Sequence, residues 1–263
     1  MKREIKIVDA ENNIIQYTFE DERWYLVDGK YLPSVSWIAS YYPKGIEFQK
    51  WLANEGWEGA DAKKRTAGEK GSWVHKAIEH LIKGNKITHD AKFSANGEPE
   101  QEITAEEYGA IISFARWAEA EHPRFLLTET TVCSKKYGYA GTVDAVALIG
   151  DEVYILDWKT SKGIYPSMEI QIAAYREAFR EMGYEWADVA KIAILQVGYD
   201  RNKAGYKFTE IPLNGTFETF LATRNIWERE AREKQPKQRD YPAEVELGYI
   251  AKNKHLQGFG FSE

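Results

Sequence analysis

Two aspartates and a lysine near the middle of the chain carry the clearest chemical signal. The stretch from Tyr139 to Lys159 holds two apolar runs joined by Gly150-Asp151, a dipeptide that favours a two-residue hairpin turn. With that turn Ile149 faces Glu152 and, counting outward, Asp144 faces Asp157. Directly opposed side chains in a ladder hold their Cβ atoms roughly 4.5–5.5 Å apart, and like charges there are destabilising. Such a pair calls for a cation between its members. Strand period puts Asp157 and Lys159 on one face of the second strand, with Tyr154, Leu156 and Trp158 on the other. One aspartate in a strand is ordinarily a surface charge, and one lysine is ordinarily solvated. Aspartate is depleted in strands, however, and here two interrupt apolar runs at matched positions. Hard carboxylate oxygens on a rigid hairpin suit Mg²⁺ or Mn²⁺, which keep several waters and bind through one or two carboxylates plus a substrate phosphate. The chemistry this implies is phosphodiester hydrolysis, with a polarised phosphoryl oxygen, an activated water and Lys159 beside the developing negative charge. Whether Lys159 also acts as a base is left open. Neighbouring carboxylates favour its charged form and a metal disfavours it.

The elements that must position these groups can be read from periodicity. Ile5, Ile7, Ile14, Tyr17 and Phe19 alternate around Glu11-Asn12-Asn13 as an N-terminal hairpin, followed by Trp24 to Val27 and an Asp28-Gly29 turn. Pro33-Ser34 opens a short helix to Tyr42, and Ile46 to Ala53 reads as another. Gly68 to Gly84 is a stronger helix with the stripe Val74, Ala77, Ile78, Leu81 and Ile82, and His75 at its edge. Residues 89–101 form a loop, and Thr104 caps a helix to about Glu121. Strands are expected at Phe125–Cys133, Tyr139–Ile149 and Val153–Lys159. A helix Pro166–Met182, strands Ala190–Val197 and Tyr206–Ile211, and a helix from Phe217 to about Lys234 follow. The fold class is α/β, a mixed sheet flanked by helices. It divides into N-terminal strands over 1–31, a core with a helical insert over 32–234 and a C-terminal extension over 235–263, together one domain.

Composition narrows the function further. The 263 residues carry 35 Lys and Arg against 41 Asp and Glu, a net charge of −6, which excludes a basic-tail mode of nucleic-acid binding. Any DNA contact then needs a local basic patch and weakens with salt. Lys63-Lys64-Arg65 with Lys70, Lys135-Lys136, and Lys162 each flank a chemically interesting segment, although charge runs are usually solvated faces. The single cysteine, Cys133, excludes a cysteine-ligated zinc or iron–sulfur site and an intrachain disulfide, and fits a reducing compartment. The N-terminus reads as strand rather than signal peptide, and no membrane span is expected. No Gly-rich nucleotide-binding loop is present. Ser34 and Ser36 have the chemistry to hydrogen-bond a phosphate near a helix start, although Ser34 is equally suited to capping that helix. Trp37, Tyr41, Tyr42 and Trp51 are read as packing residues rather than base-stacking ones.

Several separated segments resemble the PD-(D/E)XK nuclease superfamily, in particular its RecB-like exonuclease branch. Gly141-Thr-Val-Asp144 resembles the branch's G-x-x-D strand, with Val143 where the superfamily name has Pro. Asp157-Trp158-Lys159-Thr160 resembles the D-x-K-T strand. Gly71-Ser-Trp-Val-His75 is similar to the upstream G-x-x-x-H helix, Gln171-Ile-Ala-Ala-Tyr175 to the downstream Q-x-x-x-Y helix, and Pro33-Ser34-Val35-Ser36 to an early P-S-V-T segment. The resemblance implies a restriction-endonuclease-like core. It implies Asp144, Asp157 and the Trp158 backbone carbonyl as metal ligands, His75 as a further ligand and Lys159 as the catalytic lysine. Gln171 would orient that lysine, with Tyr175 beside it touching DNA near the site. Thr160 and Lys162 would face DNA just beyond the active strand. Glu129 resembles an acidic position that assists a metal or organises basic residues, and a plain exposed acid is the competing reading. The implied function is a Mg²⁺- or Mn²⁺-dependent DNA exonuclease acting at linear single- or double-stranded ends, in recombination, repair or phage DNA processing. Its setting would be the cytoplasm of a bacterium or a phage-infected host, with a recombinase or single-strand-binding protein as partner. A structure-specific or nicking endonuclease on the same core, or a non-catalytic DNA-binding relative, are the alternatives. The last would be marked by loss of an acid or the lysine, and all three are present.

Overall fold

The structure, a computed structural model, describes residues 3–9, 14–19, 22–94 and 100–231. Four N-terminal strands form an antiparallel meander in chain order: β1 (Arg3–Asp9), β2 (Ile14–Phe19), β3 (Glu22–Val27) and β4 (Lys30–Pro33). The expected Asp28-Gly29 turn closes the last pair, with both residues at positive φ (48° and 73°) and Val27 opposite Lys30, as a tight hairpin requires. The strand region therefore extends slightly past the expected boundary at residue 31. The linker Glu11-Asn12-Asn13 and the extension 235–263 lie outside the described residues.

Helices α1 (Val35–Ser40) and α2 (Ile46–Ile82) follow. The sequence suggests two helices, ending at Ala53 and starting at Gly68, but the chain is helical throughout, broken only at Gly56 (φ 72°, ψ 163°). The intervening turns are exposed apart from Ala60 and half-buried Glu55 and Gly59. They are mostly small or charged residues around one aromatic, Trp57, without an apolar stripe, so their helicity leaves no periodic trace. The stretch expected as a loop over 89–101 contains β5 (Lys92–Phe93) and runs into β6 (Gln101–Glu102), its partner in a two-residue ladder, before α3 (Ala105–Glu121). Thr104 and Glu107 form a capping box at the start of α3.

The central sheet has the order β11-β10-β9-β8-β7, with β7 (Arg124–Ser134), β8 (Tyr139–Ile149), β9 (Glu152–Lys159), β10 (Lys191–Val197) and β11 (Tyr206–Glu210). Only β9 and β10 run parallel, joined through α4 (Pro166–Glu181), and the sheet is mixed. One face, with Val132, Val143, Val146, Ile155, Ile192 and Ile194, packs on α1, α4 and α5 (Thr216–Ala231). The other, with Ala145, Tyr154, Leu156, Trp158 and Leu195, packs on α3 and the second half of α2. Trp24, Trp37 and Trp227 meet edge to face at 5.1–5.9 Å and tie β3, α1 and α5 together. Trp37 is thus a packing residue.

Candidate active site

The β8–β9 ladder has the register the sequence predicts, from Ile149 opposite Glu152 inward to Ala145 opposite Leu156. Asp144 and Asp157 occupy the next level, where regular pairing stops. There the Trp158 N–H donates to Asp144 Oδ2 at 2.7 Å, so a carboxylate replaces a ladder carbonyl. On the other side of β8, Thr128 pairs with Ala145 and Thr130 with Val143, which puts Glu129 at the level of Asp144. Three adjacent strands therefore each offer an acid at one level of the sheet. Glu129 has a φ of +46°. The other non-glycine residues of positive φ among those described, Asp28 and His122, sit in a turn and at a helix C-cap, where such conformations are common. Within a strand it costs on the order of 1–3 kcal/mol, a strain that clusters at functional sites.

The second half of α2 brings His75 over these strands. Its Nδ1 lies 3.2 Å from Asp144 Oδ1 and its Nε2 3.1 Å from the carbonyl oxygen of Trp158. Gly71, one turn earlier, lies against the end of β9, where a Cβ would stand 3.6 Å from Thr160 Oγ1. Trp158 itself points to the opposite face and is buried against Phe114, Trp117 and Phe125. A buried aromatic of this size contributes about 1.5–3 kcal/mol, and here it pins the backbone that presents the carbonyl.

Lys159 pairs with Asp157 Oδ2 at 2.6 Å. From α4, Gln171 Nε2 donates to Asp157 Oδ1 at 3.3 Å and to the Tyr175 hydroxyl at 3.0 Å. Tyr175 is buried against Gly141, whose added Cβ would come within 2.6 Å of the ring. The glycine of one motif and the tyrosine of another are thus a single close contact, a link the sequence does not announce.

Charge follows from this packing. Burial raises the Asp157 carboxyl to about 6, assisted by the charge of Asp144 and opposed by Lys159. Burial also opposes ionisation of Asp144, but His75, Lys159 and the Trp158 N–H outweigh it and hold that carboxyl below its usual range. For His75 and Lys159 burial works against the charged form, and the attraction of Asp144 for His75, and of Asp157 and Asp144 for Lys159, reverses the balance and raises both. The His75 ring thus bridges Asp144 and the Trp158 carbonyl, the oxygens between which a cation would be held.

The donor set suits a divalent ion. Single ligand atoms of His75, Glu129 and Asp144 lie within 4.8 Å of one another, and Asp157 and the Trp158 carbonyl adjoin them. The set is rich in hard oxygen donors, with one imidazole and no thiolate among them.

The residues expected to touch DNA are placed unevenly. Ser36, Thr160 and Lys162 are exposed. Ser34 is buried and caps α1, accepting from the Trp37 N–H at 3.1 Å, so its oxygen serves the helix rather than a phosphate. Tyr175 is 4% exposed and acts behind the site on Gln171, not at a DNA-facing surface. Lys135 and Lys136 lie in the β7–β8 turn, five or more residues beyond Asp144 along the hairpin and so roughly 17 Å or more away. Lys135 pairs with Asp28 at 2.7 Å, and the Lys136 ammonium sits 4.6 Å from the centre of the Tyr137 ring. Lys63 pairs with Glu55, and Lys70 braces α2 to α3 through Glu106 and Glu107.

A sequence model of the PD-(D/E)XK nuclease superfamily matches residues 50–246. The chain belongs to that superfamily. It is accordingly a hydrolytic nuclease with DNA as substrate, in a superfamily whose members generally depend on a divalent metal. Among curated proteins none matches it. Similar solved structures include a protein from Eubacterium rectale described as a candidate exonuclease, with 12% identity, TM-score 0.40, and coverage of 70% of this chain and 79% of that one. Another is an alkaline exonuclease from Laribacter hongkongensis, with 14% identity, TM-score 0.32, and coverage of 76% and 91%. The family assignment rests on the sequence match, not on these likenesses.

Proposed function

We propose that this nuclease is a Mg²⁺- or Mn²⁺-dependent exonuclease that hydrolyses DNA from its ends, in recombination, repair or phage DNA processing. The observation that carries the hydrolytic centre is the convergence of His75, Asp144, the Trp158 carbonyl, Asp157 and Lys159 at one level of the sheet. The preference for ends rests on the resemblance of the Gly71–His75 and Pro33–Ser36 segments to the RecB-like branch. His75, Asp144, Asp157 and the Trp158 carbonyl would hold the metal, with Glu129 in reach. A bound divalent ion supplies Lewis acidity toward a phosphoryl oxygen and lowers the pKa of nearby water.

The remaining work belongs to the chain. Lys159, kept positively charged by its carboxylate neighbours, stabilises negative charge developing at the scissile phosphate and orients the attacking water. Gln171 fixes the rotamer of Asp157, and Tyr175 fixes Gln171. The burial of Asp157 keeps these dipoles in a water-poor setting, where each is stronger than in bulk solvent.

The test compares linear end-labelled DNA with circular single- and double-stranded DNA, in Mg²⁺ or Mn²⁺ and in chelator. Linear DNA should be degraded and circles spared, chelator should stop the reaction, and Asp157→Asn or Lys159→Ala should stop it while DNA binding persists. Cleavage of circles would replace the exonuclease by an endonuclease. Full activity in both variants would end the assignment of the site.

A further inference from the structure

The first residue after the break in α2 is Trp57, 78% exposed. The preceding Gly56 has backbone angles essentially reserved to glycine, so the break and the placement of the indole are built into the chain. From Trp57 to His75 is eighteen residues, five full turns, so the two side chains leave the same face of the helix about 27 Å apart along its axis. Asp61, Lys64, Gly68 and Gly71 lie between them on that face. Asp61 lies 3.9 Å from Arg65. Gly68 and Gly71 leave two successive turns without side chains, and Gly71 is where the helix meets Thr160 at the end of the active strand.

The Trp57 end of this stripe, far from His75, carries further positive charge and aromatic surface. The Lys44 ammonium is held below the usual lysine range, first by burial and then by the charge of Lys64, so two cations share one neighbourhood. Lys44 also lies 5.9 Å from the centre of the Phe48 ring, which is 42% exposed and packs at 5.5 Å on Trp51. An exposed aromatic, clustered cations and a bare helix face leading to a hydrolytic centre match the needs of an unpaired nucleic-acid strand, whose phosphates take the charge and whose bases stack on aromatic rings. A base-paired duplex hides those base faces.

We propose that the Trp57–His75 face of α2 is a track for the unpaired strand of the DNA substrate, with Trp57 as the stacking platform at its far end. The inference rests on the nuclease reading of the site and deepens it. About 27 Å corresponds to roughly eight nucleotides at the rise of about 3.4 Å per nucleotide in B-form DNA, and to fewer for an extended strand. Trp57 should therefore matter for long oligonucleotides and not be reached by very short ones.

The experiment measures kcat and KM of the full chain on single-stranded oligonucleotides of three and twelve nucleotides, for the wild type, Trp57→Ala, Trp57→Phe and Val189→Ala. Val189 is equally exposed at 78% and lies off the stripe. In Trp57→Ala the ratio of kcat/KM for the 12-mer to that for the trimer should fall on the order of ten-fold, chiefly through KM. Trp57→Phe should largely restore it and Val189→Ala should keep it. An unchanged ratio in Trp57→Ala overturns the track. So does DNA-free self-association that Trp57→Ala abolishes in sedimentation, which would give the face to a second copy. If the wild type cleaves neither oligonucleotide nor linear end-labelled duplex in Mg²⁺ or Mn²⁺, the proposed function fails on its own. Fluorescence anisotropy of the bound 12-mer in chelator still decides the track, through weaker binding in Trp57→Ala or its absence.

Discussion

Replacing Gly141 by alanine perturbs the site while leaving every group of its chemistry in place. The added Cβ would stand 2.6 Å from Cε1 of Tyr175, 3.5 Å from its Cδ1 and 3.4 Å from Cγ2 of Val35. Non-bonded carbons settle at about 3.5–4.0 Å, so the ring must retreat by about 1 Å. Tyr175 is a rigid, buried ring and not the tip of a flexible chain. Its retreat carries away the hydroxyl that holds Gln171 at 3.0 Å, and with it the 3.3 Å contact from Gln171 to Asp157. Overpacking of this kind costs about 1–3 kcal/mol. In a chain of this size that lowers Tm by about 2–12 °C. A misplacement of about 1 Å at a positioning group lowers kcat by up to about 10²-fold. Thermal melting and single-turnover cleavage of end-labelled DNA read the two effects separately. Adding Tyr175→Leu to Gly141→Ala should recover part of the lost Tm and none of the lost kcat, because space returns but the hydroxyl does not. Wild-type Tm and kcat in Gly141→Ala would refute the contact and the coupling built on it.

Two further predictions concern residues whose roles are structural. Ser34→Ala removes the α1 cap and should cost about 0.5–2 kcal/mol of stability with unchanged DNA affinity, by urea melts and anisotropy; weaker DNA binding at unchanged stability would return Ser34 to the phosphate-contact role. Glu107 is buried; although burial opposes its charge, the Thr104 hydroxyl and N–H and Lys70 hold its carboxyl below the usual range. A carboxylate of lowered folded pKa stabilises above its unfolded value of roughly 4.3 and loses that contribution as pH falls through the folded value. Glu107→Gln should therefore be less stable than wild type at pH 7, with the gap closing below about pH 4. A gap that stays constant down to pH 3 in urea melts would deny the charge any part in it.

Much of the site was legible in the sequence because strand chemistry is local. The Gly150-Asp151 turn fixes the register, and register with the two-residue period places Asp144, Asp157 and Lys159. His75, Gln171 and Tyr175 sit on helices whose stripes are clear, yet only a motif resemblance connects them to the strands, since packing between distant segments leaves no periodic mark. The close approach of Gly141 to Tyr175 is of that kind. The continuous α2 and the exposed Trp57 are hidden for another reason: a helix that buries little has no stripe to read. Ser34 was ambiguous in principle, because the oxygen that caps a helix is also the oxygen that would meet a phosphate. Glu129 gains weight from its place level with Asp144 and beside His75, and from a left-handed φ inside a strand that no residue-type pattern predicts.

Mn²⁺ binding to the full chain, measured by titration calorimetry without DNA, reads most directly whether the acids that adjacent strands offer at one level form a cation site. Saturable binding in the wild type, strongly weakened in both Asp144→Asn and Asp157→Asn and retained in Ser34→Ala, is the predicted result. Binding of equal strength in the two aspartate variants, or none in the wild type, would contradict the site as described.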